Sequence, residues 1–384
     1  MDNNTEQFDK YLAADGPAAL VIREHLMPVE GADAVFFPAT FAAKKQGDPS
    51  EYNIDYENPR DRTGKNIALV DSVGSQANRI EPMFAEGDYA KLVPQITIKA
   101  GEKTVNLLEA GHRAGDAIAR CSALKDELQQ AFKEVLKGNA LPLARIAPTS
   151  LVFGVWDSRD TQAKLPRLIS STVRAYDVHR LTRSATYFAP VDYSADDIFT
   201  EEEKQKAEGD SKNPLSQRGF VNALATGTHG GVIAEGGIRR DATLALSALK
   251  LLKSDNAENT KKLQRYILSL ALVAFTKLPL GYYRQGTILV LDPNGQGEFS
   301  EVSLNGQRTP SSLTHETALT FAKAATKDFF GSDQILEKGK SVAFEPLKAK
   351  ADLEGKDKKT KAKGKSKKEE SPAPTPEPEG MDNA

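Results

Sequence analysis

Apolar positions change period repeatedly along the chain. In IALVDSVGSQANRIEPMFAE, Leu69, Val73, Ala77 and Ile80 keep helical spacing while Asp71, Gln76, Arg79 and Glu81 fall on another side. This predicts a helix that Pro82 ends or kinks. AKLVPQITIKAG is rich in β-branched residues and predicts a strand, and a long helix is predicted over residues 105–137, with Gly138 as its stop. ADAVFFPATFAA reads as a strand running into a Pro-interrupted segment, SEYNIDYENPRDRTGKN as a loop or exposed hairpin, and LVFGV as an apolar, strand-like run. FTEEEKQKAEGDSKNP is a polar interruption, expected to be a mobile insertion. GGVIAEGGIRRDATLALSALKLL predicts strand, glycine turn and helix, with Leu244, Ala248, Leu249 and Leu252 on one face. QRYILSLALVAFTKLP predicts a buried helix, and TILVLDPNGQGEFSEVSLNG two strands joined by an Asn-Gly turn. No internal repeat is visible. The order of elements fits an α+β fold, an antiparallel sheet covered on one face by helices.

Composition narrows the setting. The 384 residues are 39% hydrophobic and 27% charged, a globular balance able to build a real core. Cys121 is the only cysteine, so an intrachain disulfide and a Cys-rich zinc site are both excluded. A reducing, cytoplasmic location is expected, and no membrane partner, since MDNNTEQFDKYLAADG lacks the features of a signal peptide and no apolar run approaches bilayer length. Residues 348–384 hold almost no large apolar side chain, first Lys-rich and then acidic and Pro-rich, and predict a disordered tail after a folded part spanning 1–347.

Familiar chemistry is absent from the text. There is no Walker A, Rossmann, H-E-x-x-H or G-x-S-x-G signature, and the five histidines lie far apart without metal-ligand spacing. No cofactor, metal or catalytic residue is expected. A metal-free alternative remains open, an RNA-processing endonuclease in which a His takes the proton from a 2′-hydroxyl, with His179 near Arg180 and Tyr187 as its best position. His112 begins HRAGDAIAR, where helical spacing would pair Arg113 with Asp116 and Asp116 with Arg120.

Charge changes the picture most. The net charge is only −2, yet between Leu151 and Tyr187 six cations (Arg159, Lys164, Arg167, Arg174, Arg180 and Arg183) face three acids. Arginine outnumbers lysine here by five to one, and planar guanidinium groups suit bidentate phosphate contacts and stacking on bases. Gln162 and neighbouring Ser and Thr residues add sugar and phosphate donors, while Trp156, Tyr176 and Tyr187 offer stacking surfaces. The texture is that of a single-strand RNA groove, although a charge run is also an ordinary solvated face. A second basic surface lies at Arg239 and Arg240, expected to precede a helix capped by Asp241 or Thr243.

Together LVDSVGSQANRIE, HRAGDAIAR, WDSRDTQAKLPRL, RSATY and GGVIAEGGIRRDATLAL strongly resemble the RAMP-superfamily backbone subunit of type I-U, also called I-G, CRISPR surveillance complexes. The resemblance runs in order from about Gly31 to about Leu291. It implies a non-catalytic CRISPR RNA-binding subunit with a modified RRM-like, ferredoxin-like palm and a protruding thumb hairpin, placed within residues 151–220. It further implies several copies packed head to tail in a helical filament along the guide, beside other subunits of the complex, with target DNA engaged through the guide. Carried over by position, Ser75, Gln76, Asn78, Arg79, Arg113, Arg159, Gln162, Lys164, Arg167, Arg174, Arg180, Arg183, Arg239 and Arg240 would contact RNA. The resemblance weakens at YYRQGTILVL, so no role is carried over to Arg284. Asp71, Asp157 and Asp160 are the only positions suited to a metal-dependent cut, which is not expected.

Overall fold

The computed structural model describes residues 6–42, 50–210, 212–278, 281–331, 336 and 339–354. Its centre is an antiparallel sheet, and the architecture is α+β, compatible with an RRM-like palm. The strands that matter below are β1 (Ala19–Pro28), β2 (Ile54–Tyr56), β3 (Asn66–Asp71), β4 (Ile169–Tyr176), β5 (Val178–Tyr187), β6 (Ala223–Ala234), β7 (Ile238–Ala245), β8 (Tyr282–Arg284), β9 (Thr287–Leu291), β10 (Glu298–Val302) and β11 (Arg308–Pro310). The sheet order is β8-β9-β1-β7-β4-β3-β2, with β10 also on β1 and β11 on β10.

Alternation along the strands separates two faces. Leu20, Ile22, Ile169, Ala242 and Leu244 are buried in one core with the helices α2 (Ala257–Thr276) and α3 (His315–Phe330). At the other end of the same face Leu26, Val173, Ala175 and Ile238 pack with Phe36, Tyr52, Val232 and Tyr283. The apolar run of α2 buries Leu263 and every residue from Tyr266 to Phe275, as its composition predicts. The opposite face carries rows of polar side chains. Arg23, Asp241 and Thr172 are cross-strand neighbours, as are His25, Arg239 and Arg174.

The pair β4–β7 does not stop at the sheet. Tyr176 and Asp177 lead directly into β5, and β5 pairs with β6 from Val178↔Ala234 outward, so one long hairpin leaves the palm as a two-stranded ribbon. Glycines permit its irregularities. A Cβ on Gly236 would lie 2.8 Å from Tyr176 Cβ where the strands bend, and one on Gly230 would lie 2.6 Å from Thr182 backbone where the register shifts. The base of the ribbon is braced by Phe36, whose N–H and C=O both bond Val232 at 3.0 and 2.8 Å. Beyond it, Glu201–Ala207 is a helix with a capping box at Thr200 and Glu203, inside the segment expected to be mobile.

Several local expectations are corrected by tertiary context. The helix predicted from Leu69 begins only at Val73, as α1 (Val73–Ile80), because β3 claims residues 66–71 for the sheet and Ser72 caps the helix. The long helix over 105–137 is broken into the strand Lys103–Asn106, two 3₁₀ turns, Ala117–Arg120 and Lys125–Leu136. Asp116 caps Ala117–Arg120 instead of pairing with Arg113 or Arg120. LVFGV lies largely within the helix Thr149–Phe153, an apolar run buried on every side that periodicity cannot classify. Arg239 and Arg240 lie within β7, not before a helix. β9 and β10 do not pair with each other: both lie end to end along β1. Residues 346–354 are helical, and Asp352 pairs with Arg120 at 3.2 Å. Residues 355–384 of the expected tail lie outside the described residues.

Candidate nucleic-acid interface

A cleft of about 630 Å³ opens between the 111–120 segment and the small hairpin Val155–Trp156/Lys164–Leu165. Arg113, Arg120, Arg159, Lys164, Arg167 and His112 line it, and no Asp or Glu is among its lining residues. Three of the expected RNA contacts, Arg159, Lys164 and Arg167, are exposed here.

Local sequence builds this wall. Asp157, only 2% exposed, accepts from the Thr161 N–H at 2.8 Å and its hydroxyl at 2.6 Å, and Gln162 N–H returns to the Asp157 carbonyl at 2.9 Å. The loop 157–163 is thereby closed on itself, with Gln162 at φ +62° and its side chain bonded to the Ser158 carbonyl, and Arg159 projects from a fixed turn. Gly154, at φ +79°, lets the Arg167 stem pass, since a Cβ there would lie 2.8 Å from Arg167 Cγ. Arg167 then donates Nε to the Phe153 carbonyl at 3.1 Å and reaches the first turn of α1 at Gly74.

Arg113 forms part of the cleft floor without being exposed. Its side chain is 4% exposed and its Nε lies 2.6 Å from Glu81 Oε2, with further contacts to the Gly154 carbonyl and Asn78 Oδ1. Burial pushes the Glu81 carboxyl up to about 7 against the opposing pull of Arg113. Asn78 is exposed above this pair.

Of the SQANR positions, Ser75, Gln76 and Arg79 tie into a structural knot, while Asn78 stands at the cleft. Asp71 is 1% exposed and accepts from Ser75 Oγ at 2.7 Å, Gln76 Nε2 at 2.5 Å and Arg79 Nε at 3.2 Å. The register shift between Val173 and Arg174 lets both Val70 and Asp71 face inward. Gln76 is buried and accepts from Ser171 Oγ, and Arg79 continues to the Tyr283 carbonyl at 2.6 Å. Arg284, to which no role was carried, completes the knot through Asp71 Oδ1 and the carbonyls of Val70 and Phe37. Arg240 is likewise spent inside, its Nε 2.6 Å from Glu24 between the two cores. Gln76, Arg113 and Arg240, expected at the RNA, are buried here and bonded to partners inside the fold, where desolvated polar groups must find them.

The remaining positions occupy two other places. On the open sheet face Arg174 bonds Thr172 at 2.7 Å, and Arg239 lies over the Tyr176 ring at 4.9 Å while bonding Asp241 and the Tyr176 hydroxyl. Arg23 joins Asp241 there, a position that the alternation Val21-Arg23-His25 would have revealed. Arg180 and Arg183 are exposed on the ribbon, Arg180 over the Tyr52 ring at 6.0 Å. His179, the position considered for RNA cleavage, pairs with the exposed Glu235 at 3.1 Å. Asp71 and Asp157 are fully engaged in structure, Asp160 holds Gln129 at 2.8 Å, and no group of three metal-ligating residues occurs among the described residues.

All residues of the cleft fall inside one further observation. Residues 20–180 match the family model described as CRISPR-associated protein GSU0053. The matched stretch runs from β1 through β4 into β5 and includes Asp71, Ser75, Gln76 and Arg79 of the knot, while Arg284, most of the ribbon, β7 and the helices α2 and α3 lie outside it. No curated protein matches the chain. Among the described residues no helix is long and apolar enough to cross a membrane.

Proposed function

We propose that this protein is a CRISPR RNA-binding backbone subunit of a type I surveillance complex, of the I-U/I-G kind, and acts as a scaffold without cutting RNA. Several copies would line up head to tail along the guide, with the β5–β6 ribbon as the thumb reaching a neighbour, and hold the guide for pairing with target DNA beside other subunits of the complex. The carrying observation is the cleft that presents Arg159, Lys164 and Arg167 exposed, within the part of the chain that is similar to a CRISPR-associated family. Cations presented on fixed turns grip a sugar–phosphate chain without reading its letters, which is what a guide of variable sequence requires.

Binding of single-stranded RNA by the purified chain, followed against salt, tests the reading. Each phosphate contact contributes a log–log slope of about −0.7, so Arg159→Ala, Lys164→Ala and Arg167→Ala are each expected to flatten the slope by about that amount. A salt-independent interaction, or variants that all retain the parent slope, would refute it. Intact RNA after long incubation without metal is the expected result for a scaffold, and product bands lost in His179→Ala would instead support an endonuclease.

A further inference from the structure

Trp156 is the only tryptophan of the chain, and it stands 55% exposed at the cleft. Its neighbour Val155 is 6% exposed, so the short strand sends one side chain into the core and holds the indole out by alternation. The backbone beneath is fixed: a Cβ on Gly115 would lie 2.9 Å from the Trp156 carbonyl oxygen, so that glycine lets the 113–115 turn press directly on the strand. Directly across the hairpin, Lys164 places Nζ 5.5 Å from the indole centroid. Arg159 projects from the loop between the two strands, and Arg167 follows two residues after the second.

The exposed indole is an apolar surface in contact with the Lys164 ammonium, at a cleft whose lining includes Arg159, Lys164 and Arg167 and no Asp or Glu, the neighbouring Asp116 being bonded to His112. Indole–cation surroundings of this kind suit a flat, π-bearing group attached to an anionic chain. We propose that Trp156 is the stacking platform for one unpaired nucleobase, with Arg159, Lys164 and Arg167 holding the phosphates on either side of it. The proposal rests on the RNA-holding reading above and adds a subsite to it. Every base has a π-face, so such a platform favours no letter, yet it distinguishes a nucleotide chain from a bare polyanion.

Because Trp156 is the sole tryptophan, its emission reports this subsite alone. The full chain is titrated with a short uridine RNA, with an abasic ribose-phosphate oligomer of equal length and with polyglutamate. RNA is expected to quench the emission at saturation and the abasic oligomer to bind without quenching. Trp156→Ala is expected to weaken RNA binding roughly 5- to 100-fold and leave abasic binding unchanged, while Trp156→Phe keeps most of the affinity. Equal affinity of Trp156→Ala and the parent for RNA, with the steep salt dependence intact, would overturn the stacking platform and spare the RNA-holding reading. Absence of binding by either oligomer, or stronger quenching by polyglutamate than by RNA, would overturn both.

Discussion

Arg113 and Glu81 face each other at 2.6 Å beneath the basic cleft, with side chains 4% and 1% exposed. A buried charge deprived of its partner is far more costly than an exposed charge removed from water. At pH 8, where the Glu81 carboxyl is ionised, Arg113→Ala is therefore expected to destabilise the fold by about 3–5 kcal/mol, whereas Arg159→Ala, at an exposed loop position, should stay within about 0.5 kcal/mol. Urea unfolding, with midpoints compared at equal slope, separates the two.

The same carboxyl gives a pH signature. Glu81 is held by burial at about 7, above the ordinary carboxylate range, so the folded state retains a proton there that the unfolded chain has lost. The stability tied to this proton is fully present below the ordinary Glu range and disappears as pH rises through about 7. Between pH 5 and 8 the parent should lose stability relative to Glu81→Gln, which has no proton to release. Parallel stability–pH curves for the two proteins would contradict the assignment.

Asp71 collects Ser75, Gln76, Arg79 and Arg284 from two distant parts of the chain. Asp71→Ala leaves two guanidinium groups without their anion and Gln76 without its acceptor, at a cost of about 3 kcal/mol, moderated because both arginines reach solvent in part. Thermal unfolding should show a clear drop in midpoint. Any loss of RNA affinity should vanish when binding is measured well below that midpoint, since Asp71 is buried and its bonds are to Ser75, Gln76, Arg79 and Arg284.

At the ribbon base, Gly231 has φ +92°, and an added Cβ would lie 2.5 Å from Val35 and 2.9 Å from the Phe36 carbonyl. Gly231→Ala is expected to cost at least about 1–3 kcal/mol in backbone strain and to break the Phe36–Val232 bridge. Faster amide exchange at Phe36 and Val232 than in the parent would register it.

Much of this was legible in the text wherever the cause lies within a few residues. The all-apolar face of α2 and the glycines that let strands approach follow from local composition. Arg159, Lys164, Arg167 and Trp156 stand in one basic, aromatic stretch of the text, while the hairpin that groups them was not predicted, although its loop is closed locally by Asp157, four residues from its partner Thr161. What misled the reading was an apolar period shared by strand and helix, as at 66–71, and a helical spacing at 105–120 that glycines and caps interrupt.

The sequence by itself determined that basic, aromatic and small polar residues are concentrated in one stretch, and that the fold is α+β. Only the tertiary structure decided which cations face water. Arg240 meets Glu24 across adjacent strands, Arg113 meets Glu81 after two turns reverse the chain, and Arg284 reaches Asp71 from across the sheet. The physical reason is that local spacing fixes the side of an element on which a charge lies. Whether that side is covered, and by which opposite charge, is set by segments far along the chain.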